Sequence, residues 1–213
     1  MKLTHPISLA LLAGGLATLT SFLLHAGADD KPVMQDISSY ESAIFAGGCF
    51  WCVESDFDKV DGVLETISGY TGGTSENPTY ETHTKENHLE AVKVIYDPAI
   101  VEYEELLDYF LHHIDPTDAG GQFCDRGNSY TTAVFYGTED ERVLTEAKFA
   151  QIDSANTLPG PIVTAVRGEE DFHPAEAKHQ DYYLKNPSRY SFYRISCGRD
   201  ARIKQVWGNK GQS

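Results

Sequence analysis

Basic residues are in short supply. The chain sets 17 Lys+Arg against 32 Asp+Glu, a formal net charge of −15 over 213 residues. Nucleic acids and anionic membranes both repel such a surface, so neither is an expected partner. The chain has no Gly-Lys-Ser/Thr phosphate loop and no Gly-x-Gly-x-x-Gly fingerprint. It therefore lacks the two common glycine-built cradles for phosphate. No internal repeat is visible, which sets solenoids and propellers aside. Cysteine is sparse as well, at Cys49, Cys52, Cys124 and Cys197. With His83, His88, His173 and His179 these form no doubled Cys-x-x-Cys and no His-x-x-x-His set. A metal-binding module is thus a weak reading, and no metal ligands are assigned.

The N-terminus reads as an address. Lys2 precedes a run from Ile7 to Leu24 that is apolar apart from glycine, serine and threonine. Ala26-Gly27-Ala28 then supplies the small-x-small pattern of a signal-peptidase site. Cleavage is expected after Ala28, with a linker over 29–42 and one catalytic domain over 43–213. The alternative is an uncleaved anchor, since the run approaches the length of a bilayer span. Either way the folded part is expected outside the cytoplasm, most simply in a periplasm. No cysteine lies near Ala28, so lipid attachment is not suggested.

In an exported protein, four cysteines could simply be two structural disulfides. A domain of this size does not depend on such staples, however. A crosslink between Cys49 and Cys52 closes too short a loop to restrict the unfolded chain much. Their surroundings suggest chemistry instead. Ala43-Ile44-Phe45 reads as the end of a buried strand, Gly47-Gly48 permits a tight turn, and Phe50, Val53 and Phe57 follow at helical spacing. A cysteine at a helix start faces unpaired amide donors and the positive end of the helix dipole, which favour the reactive thiolate. Cys52, three residues on, returns to the same face.

Beyond this helix, Val63–Gly69 and Ala91–Asp97 read as strands, separated by a long polar excursion from Tyr70 to Glu90. Tyr103, Leu106, Leu107, Phe110, Leu111 and Ile114 make a helical stripe. A second loop, 115–128, precedes a strand over Tyr130–Tyr136. Thr138 and Glu141 form a capping box for a helix to about Ile152. Ile162–Val166 reads as one more strand, and an aromatic, turn-rich tail from Phe172 is expected to wrap the core. The order strand, helix, strand, strand, helix, strand predicts an α+β two-layer sandwich. Its core is a ferredoxin-like split β-α-β unit with an appended helix and strand.

Eight stretches, taken in order, carry a family resemblance: Gly47 to Glu54 (with Cys49-Phe50-Trp51-Cys52), Ser68 to Gly73, Asn77 to Tyr80, His88 to Val92, Tyr96 to Pro98, Ile114 to Asp118, Asp125 to Tyr130 and Glu176 to Tyr183. Together they resemble the A-type peptide methionine sulfoxide reductases over about Ala43 to Trp207. The resemblance implies that Cys49 attacks the sulfur of a methionine S-sulfoxide, free or within a protein. It implies that Glu90 protonates the departing oxygen, a step that needs a carboxylic acid within hydrogen-bond reach. Tyr80 and Tyr130 match hydroxyl donors to that oxygen, and Asp125 matches a residue that orders the pocket. Phe50 and Trp51 match the wall that receives the methyl group, where sulfur–aromatic contacts are favourable. His88 and His179 match motif histidines and are expected to be structural.

Attack leaves a sulfenic acid on Cys49, and a second thiol must condense with it. Relatives differ in where that thiol sits. Cys52 and Cys197 are both candidates, while Cys124 is expected to be a small packing thiol near the pocket. The resemblance further implies no bound cofactor, electrons from a thioredoxin-type dithiol carrier, and a monomer. A dithiol–disulfide oxidoreductase built on Cys49-x-x-Cys52 is the competing reading. Thioredoxin-like chains carry an aromatic before the first cysteine, whereas here Ala46-Gly47-Gly48 precedes it.

Overall fold

A computed structural model describes residues 39–208. The apolar N-terminal run, the expected cleavage point and most of the expected linker lie outside the described residues. Strand β1 (Glu41–Gly47) begins inside the stretch expected as linker, because Glu41 pairs with Tyr96 and its carboxylate accepts the Tyr96 hydroxyl at 2.8 Å. Helix α1 (Phe50–Phe57), β2 (Val63–Thr71), β3 (Leu89–Tyr96) and α2 (Tyr103–His112) follow. A two-residue hairpin, β4 (Gly121–Gln122) and β5 (Asp125–Arg126), precedes β6 (Thr132–Tyr136) and α3 (Glu139–Ala155). Then come β7 (Ala165–Gly168), β8 (His173–Pro174), α4 (Tyr182–Lys185), α5 (Pro187–Ser196) and α6 (Arg199–Trp207).

The main sheet has the order β7-β6-β1-β3-β2-β8. Its inner four strands, β6-β1-β3-β2, are antiparallel throughout and are joined through α1 and α2. This is the expected split β-α-β core. Appended β7 runs parallel to β6 after the crossover through α3, and β8 closes the other edge on β2. The centre of β1 is buried on both faces. Phe45 packs under the helices with Phe50, Phe57, Leu107, Phe110 and Val94, while Ile44 and Ala46 join Ala91, Ala133 and Phe135 behind the sheet. Strand alternation puts Glu90, Val92 and Val94 on the helix side and Ala91 on the other.

Three elements depart from the sequence expectation. The strand expected from Tyr130 begins at Thr132, because Asn128–Tyr130 forms a short 3-10 turn. The strand expected over Ile162–Val166 is shifted to Ala165–Gly168. Val163 is held elsewhere, its N–H donating to the Pro116 carbonyl at 2.8 Å. The tail is more helical than turn-rich: Pro187 starts α5, and Arg199, Ile203 and Val206 form the buried stripe of α6. The Thr138–Glu141 capping box is formed, and α3 runs on to Asn156 in the left-handed conformation.

The turn between β1 and α1 fixes the site. Gly48 has φ +82°, and a Cβ there would lie 2.6 Å from the Gln122 Cβ. A Cβ on Gly47 would meet Val53, Phe110 and Ile114 at 2.9–3.1 Å. Gln122 cannot retreat easily, because its amide holds both the Asp115 N–H and the Asp115 carbonyl at 2.9 Å. Gly48→Ala should therefore lower stability by about 1–3 kcal/mol, the cost of a strained left-handed residue. Urea unfolding would check this, and a loss below about 0.5 kcal/mol would show that the 115–130 loop yields freely.

Candidate active site

Cys49 sits immediately before α1, and its carbonyl accepts the N–H groups of Cys52 (3.0 Å) and Val53 (3.3 Å). The side chain is 6% exposed. The first free amide of the helix, Phe50 N–H, does not serve the sulfur. It donates to Glu90 Oε2 at 3.0 Å. The expectation that the helix start would favour the Cys49 thiolate is thus corrected. Burial, the neighbouring Cys52 thiol and the Glu90 carboxyl all push the Cys49 thiol up, against one lowering hydrogen bond from Tyr193. Cys52, 2% exposed, is pulled down by its hydrogen bond with Cys49 and by the Arg199 and Arg194 guanidiniums, against burial.

Glu90 is 2% exposed on β3, directly across from Tyr70 on β2. Burial pushes its carboxyl up to about 8, partly offset by the Phe50 amide. His83 Nε2 lies 3.7 Å from Oε1, and burial holds that imidazole down and so neutral. Glu90 is accordingly a neutral carboxylic acid near neutral pH, with one oxygen tied to the helix and the other next to an uncharged ring. That is the form able to give a proton.

Two tyrosines lie in the electrostatic neighbourhood of this pair. Tyr80 lies at the rim, 36% exposed, and its hydroxyl is pushed to about 12 by burial, Glu90 and Cys49. Tyr130 is raised by burial and by Glu90, Tyr80, Asp125 and Cys49, so these groups share one locale. The loop carrying Tyr80 is pinned twice. Its N–H donates to Glu176 Oε1 at 3.1 Å, and its carbonyl contacts His83 Nδ1 at 2.9 Å. Phe50 lies fully buried among Tyr70, Tyr80 and His179, with centroids 5.4–6.5 Å apart. Trp51 stacks on Tyr182 at 3.7 Å, meets Tyr193 edge-on at 5.8 Å and donates Nε1–H to His179 Nδ1 at 3.1 Å. Cys49 therefore opens onto an aromatic surround. His88 is bound to Gly73 and Ser75, away from this pair.

Asp125 faces the site from β5 and accepts the Tyr193 hydroxyl. Burial raises its carboxyl. Sequence reasoning missed Tyr193, which donates its hydroxyl to Asp125, and treated it as one of the wrapping aromatics. Its position four residues before Cys197 on a helix was the available signal. Arg199 was missed as well. It is 2% exposed and bonds the carbonyls of Gly47 and His113, placing a positive charge under Cys52.

The cysteine expectations also change. Cys124 is joined to Cys197 in a disulfide with Cα atoms 4.9 Å apart, so it is not a packing thiol. Cys49 and Cys52 are free. Among the described residues, one group of three side chains could gather a metal, Cys124, Asp125 and Cys197. Its two sulfurs are already bonded to each other, and none of the four histidines considered joins it.

A buried thiol pair, a neutral acid and flanking hydroxyls on this sheet define a thiol-based reductase. The peptide methionine sulfoxide reductase family matches residues 41–211, and the chain belongs to it. It is 54% identical over 168 residues to peptide methionine sulfoxide reductase MsrA 2 of Rhizobium meliloti, covering 79% of this chain and 84% of that one. The corresponding MsrA of Bacillus subtilis is 46% identical over 172 residues, covering 80% and 97%. Methionine sulfoxide reductase A of Corynebacterium diphtheriae superposes with a TM-score of 0.62 at 30% identity, over 70% of this chain and 76% of the other. Reduced Mxr1 of Saccharomyces cerevisiae gives 0.64 at 27%, over 74% and 91%.

The raised Glu90 carboxyl has a thermodynamic signature. An unfolded Glu titrates near 4.5 and the folded one near 8. Below about 4.5 both states hold the proton and the fold is spared a buried charge, and that stability is lost as pH rises through 8. Glu90→Gln should remove this slope, so the wild-type-minus-variant stability difference should fall by a few kcal/mol across the window. A flat difference from pH 5 to 8 would mean that Glu90 is ionised throughout.

Proposed function

We propose that the protein reduces the S epimer of methionine sulfoxide, free or in proteins, using Cys49 as nucleophile and Glu90 as acid. The single observation that carries this reading is the Glu90 carboxyl held neutral beside the Cys49 thiol, bound through Oε2 to the Phe50 amide. Cys49 sulfur attacks the sulfoxide sulfur, and the Glu90 proton passes to the oxygen. The methionine sulfur–oxygen bond and the new sulfur–sulfur bond then break as the oxygen transfers to Cys49. Methionine leaves and Cys49 becomes a sulfenic acid, while the former thiol proton restores Glu90. Tyr80 and Tyr130 hydrogen-bond the oxygen, Phe50 and Trp51 receive the methyl group, and Asp125 orders Tyr193 against the cysteine.

Cys52 then attacks the sulfenic sulfur, releasing water and forming a Cys49–Cys52 disulfide. The place of Cys52 in the first turn of α1, buried beside Cys49, supports this choice over Cys197, which is bonded to Cys124. A thioredoxin-type dithiol carrier returns the electrons, and the chain works as a monomer. We place it outside the cytoplasm, in keeping with the apolar N-terminal run and the second disulfide.

Stereochemistry tests the reading. Purified protein with dithiothreitol should consume the S epimer and leave the R epimer, and equal turnover of both would overturn it. Cys49→Ser should abolish turnover. Glu90→Gln should cut kcat by about 10²–10⁴, the range for loss of a general acid, with circular dichroism unchanged. Cys52→Ser should retain one methionine per reaction cycle but accumulate a dimedone-reactive sulfenic acid; rapid disulfide formation in that variant would reassign the resolving role.

A further inference from the structure

Cys49 must shed its thiol proton to attack, yet its neighbour Glu90 is a neutral acid that already holds one. A carboxylic acid can pass a proton on but cannot keep a second. The group able to keep it lies on the far side of Glu90. His83 is buried in the loop 72–88, its ring stacked on Tyr70 (centroids 4.9 Å apart) and tilted against Tyr80 (5.7 Å). Its Nδ1 lies 2.9 Å from the Tyr80 carbonyl. A carbonyl only accepts, so Nδ1 carries the hydrogen of the neutral ring and Nε2 is left as a bare lone pair. That nitrogen lies 3.7 Å from Glu90 Oε1. The other oxygen, Oε2, accepts the Phe50 amide, one residue from Cys49. Glu90 thus has one oxygen on the helix start and the other beside a base. The Thr84 hydroxyl also meets Nε2, at 3.3 Å, and a hydroxyl can turn from donor to acceptor when the ring gains a proton.

We propose that His83 receives the Cys49 thiol proton through Glu90, so that the sulfur becomes a thiolate while Glu90 remains an acid. This rests on the functional reading above. The thiol proton moves to Glu90 Oε2 as the proton on Oε1 moves to His83 Nε2. The products are a thiolate, a neutral carboxyl and an imidazolium. The thiolate attacks the sulfoxide sulfur, and Glu90 gives its Oε2 proton to the oxygen. Methionine leaves, the oxygen stays on Cys49 as the sulfenic hydroxyl, and the imidazolium returns its proton to the Glu90 carboxylate. One thiol proton has become one hydroxyl proton, and Glu90 and His83 end as they began. The 3.7 Å gap must close to hydrogen-bond contact, below about 3.2 Å, a tightening common when substrate binds. His83 touches no substrate and is a positioning residue for the proton. Around its ring stand Glu90 on β3, Tyr70 on β2, Tyr80, Glu86 and His88 of its own loop, and Glu176 and His179 before α4. Burial holds the resting ring neutral, while the Glu86 and Glu176 carboxylates favour the transient imidazolium.

Rapid-quench counting of methionine in the first turnover of the reduced full chain, from about pH 4.5 to 8, tests this route. The wild-type rate should fall about tenfold per pH unit on the acid side, below the ordinary imidazole value of 6.5, because a ring already protonated accepts nothing. His83→Asn keeps an N–H at the Nδ1 position for the Tyr80 carbonyl but offers no titrating base. It should form methionine about 10²-fold more slowly at pH 7, with the Kd for methionine S-sulfoxide unchanged. Its rate should rise with pH and show no imidazole limb. A His83→Asn rate within about threefold of wild type, or a weakened Kd at an unchanged rate, would reduce His83 to an anchor for Tyr80 and overturn the proton route. So would a wild-type rate that stays level between about pH 6.5 and 4.5, a measurement that decides the point even if His83→Asn fails to fold. Methionine formed with the wrong profile removes this route alone, whereas no methionine at any pH removes the functional reading with it.

Discussion

The hydrogen bond from the Phe50 amide to Glu90 Oε2 ties the chemistry to the fold. It spans 40 residues and joins the first turn of α1 to the centre of the sheet. A carboxylic acid buried at this depth is costly unless something satisfies it, and a helix-start amide is an orphan donor seeking an acceptor. Each group settles the other's unmet requirement. The result fixes the distance between a nucleophile at the helix start and an acid on β3. It also takes the amide that would otherwise have stabilised a thiolate on Cys49.

Charge placement around that bond follows a consistent logic. The acid side is kept neutral by burial, with an uncharged His83 as neighbour. The thiol side rests on Arg199 and Arg194, which are paired to Asp56 and not to the sulfurs. Positive charge beneath Cys52 and a neutral acid beside Cys49 divide the two tasks between two cysteines. One lies near the guanidinium pair, and the other lies where the substrate oxygen must be protonated. A single exposed cysteine could not separate these demands, because the same field would act on both steps.

Much of this was legible in the sequence, for reasons that are local. The turn Gly47-Gly48, the stripe of α2 and the Thr138–Glu141 box are short-range patterns, and each stands where its pattern put it. The order of strands followed because the split β-α-β arrangement has few ways to bury its faces. What escaped was long-range. Nothing local marks Tyr193 as a partner of Asp125, 68 residues away, or Arg199 as the charge under Cys52. The pairing of Cys124 with Cys197 spans 73 residues and depends on where the tail lands. The same is true of the Cys49 thiol, whose state was misjudged because the helix dipole is visible in sequence and burial is not. The shift of β7 reflects competition for Val163 by a carbonyl at Pro116, which strand propensity cannot foresee.

The groups that complete the site from residue 176 onward bond to backbone laid down much earlier. Glu176 holds the Tyr80 amide, Gln180 brackets Ser68 through its N–H and carbonyl, and Arg199 grips the Gly47 carbonyl. The thiol, the acid and the rim tyrosine are thus all made before the parts that lock them in place. On a growing polypeptide, Cys49 is made as an ordinary, unshielded thiol and stays so until the last helix has been made and has packed. The same arrangement makes the C-terminus a checkpoint. A chain cut short between β3 and α6 retains its nucleophile and its acid, yet loses the Arg199 grip on the Gly47 carbonyl.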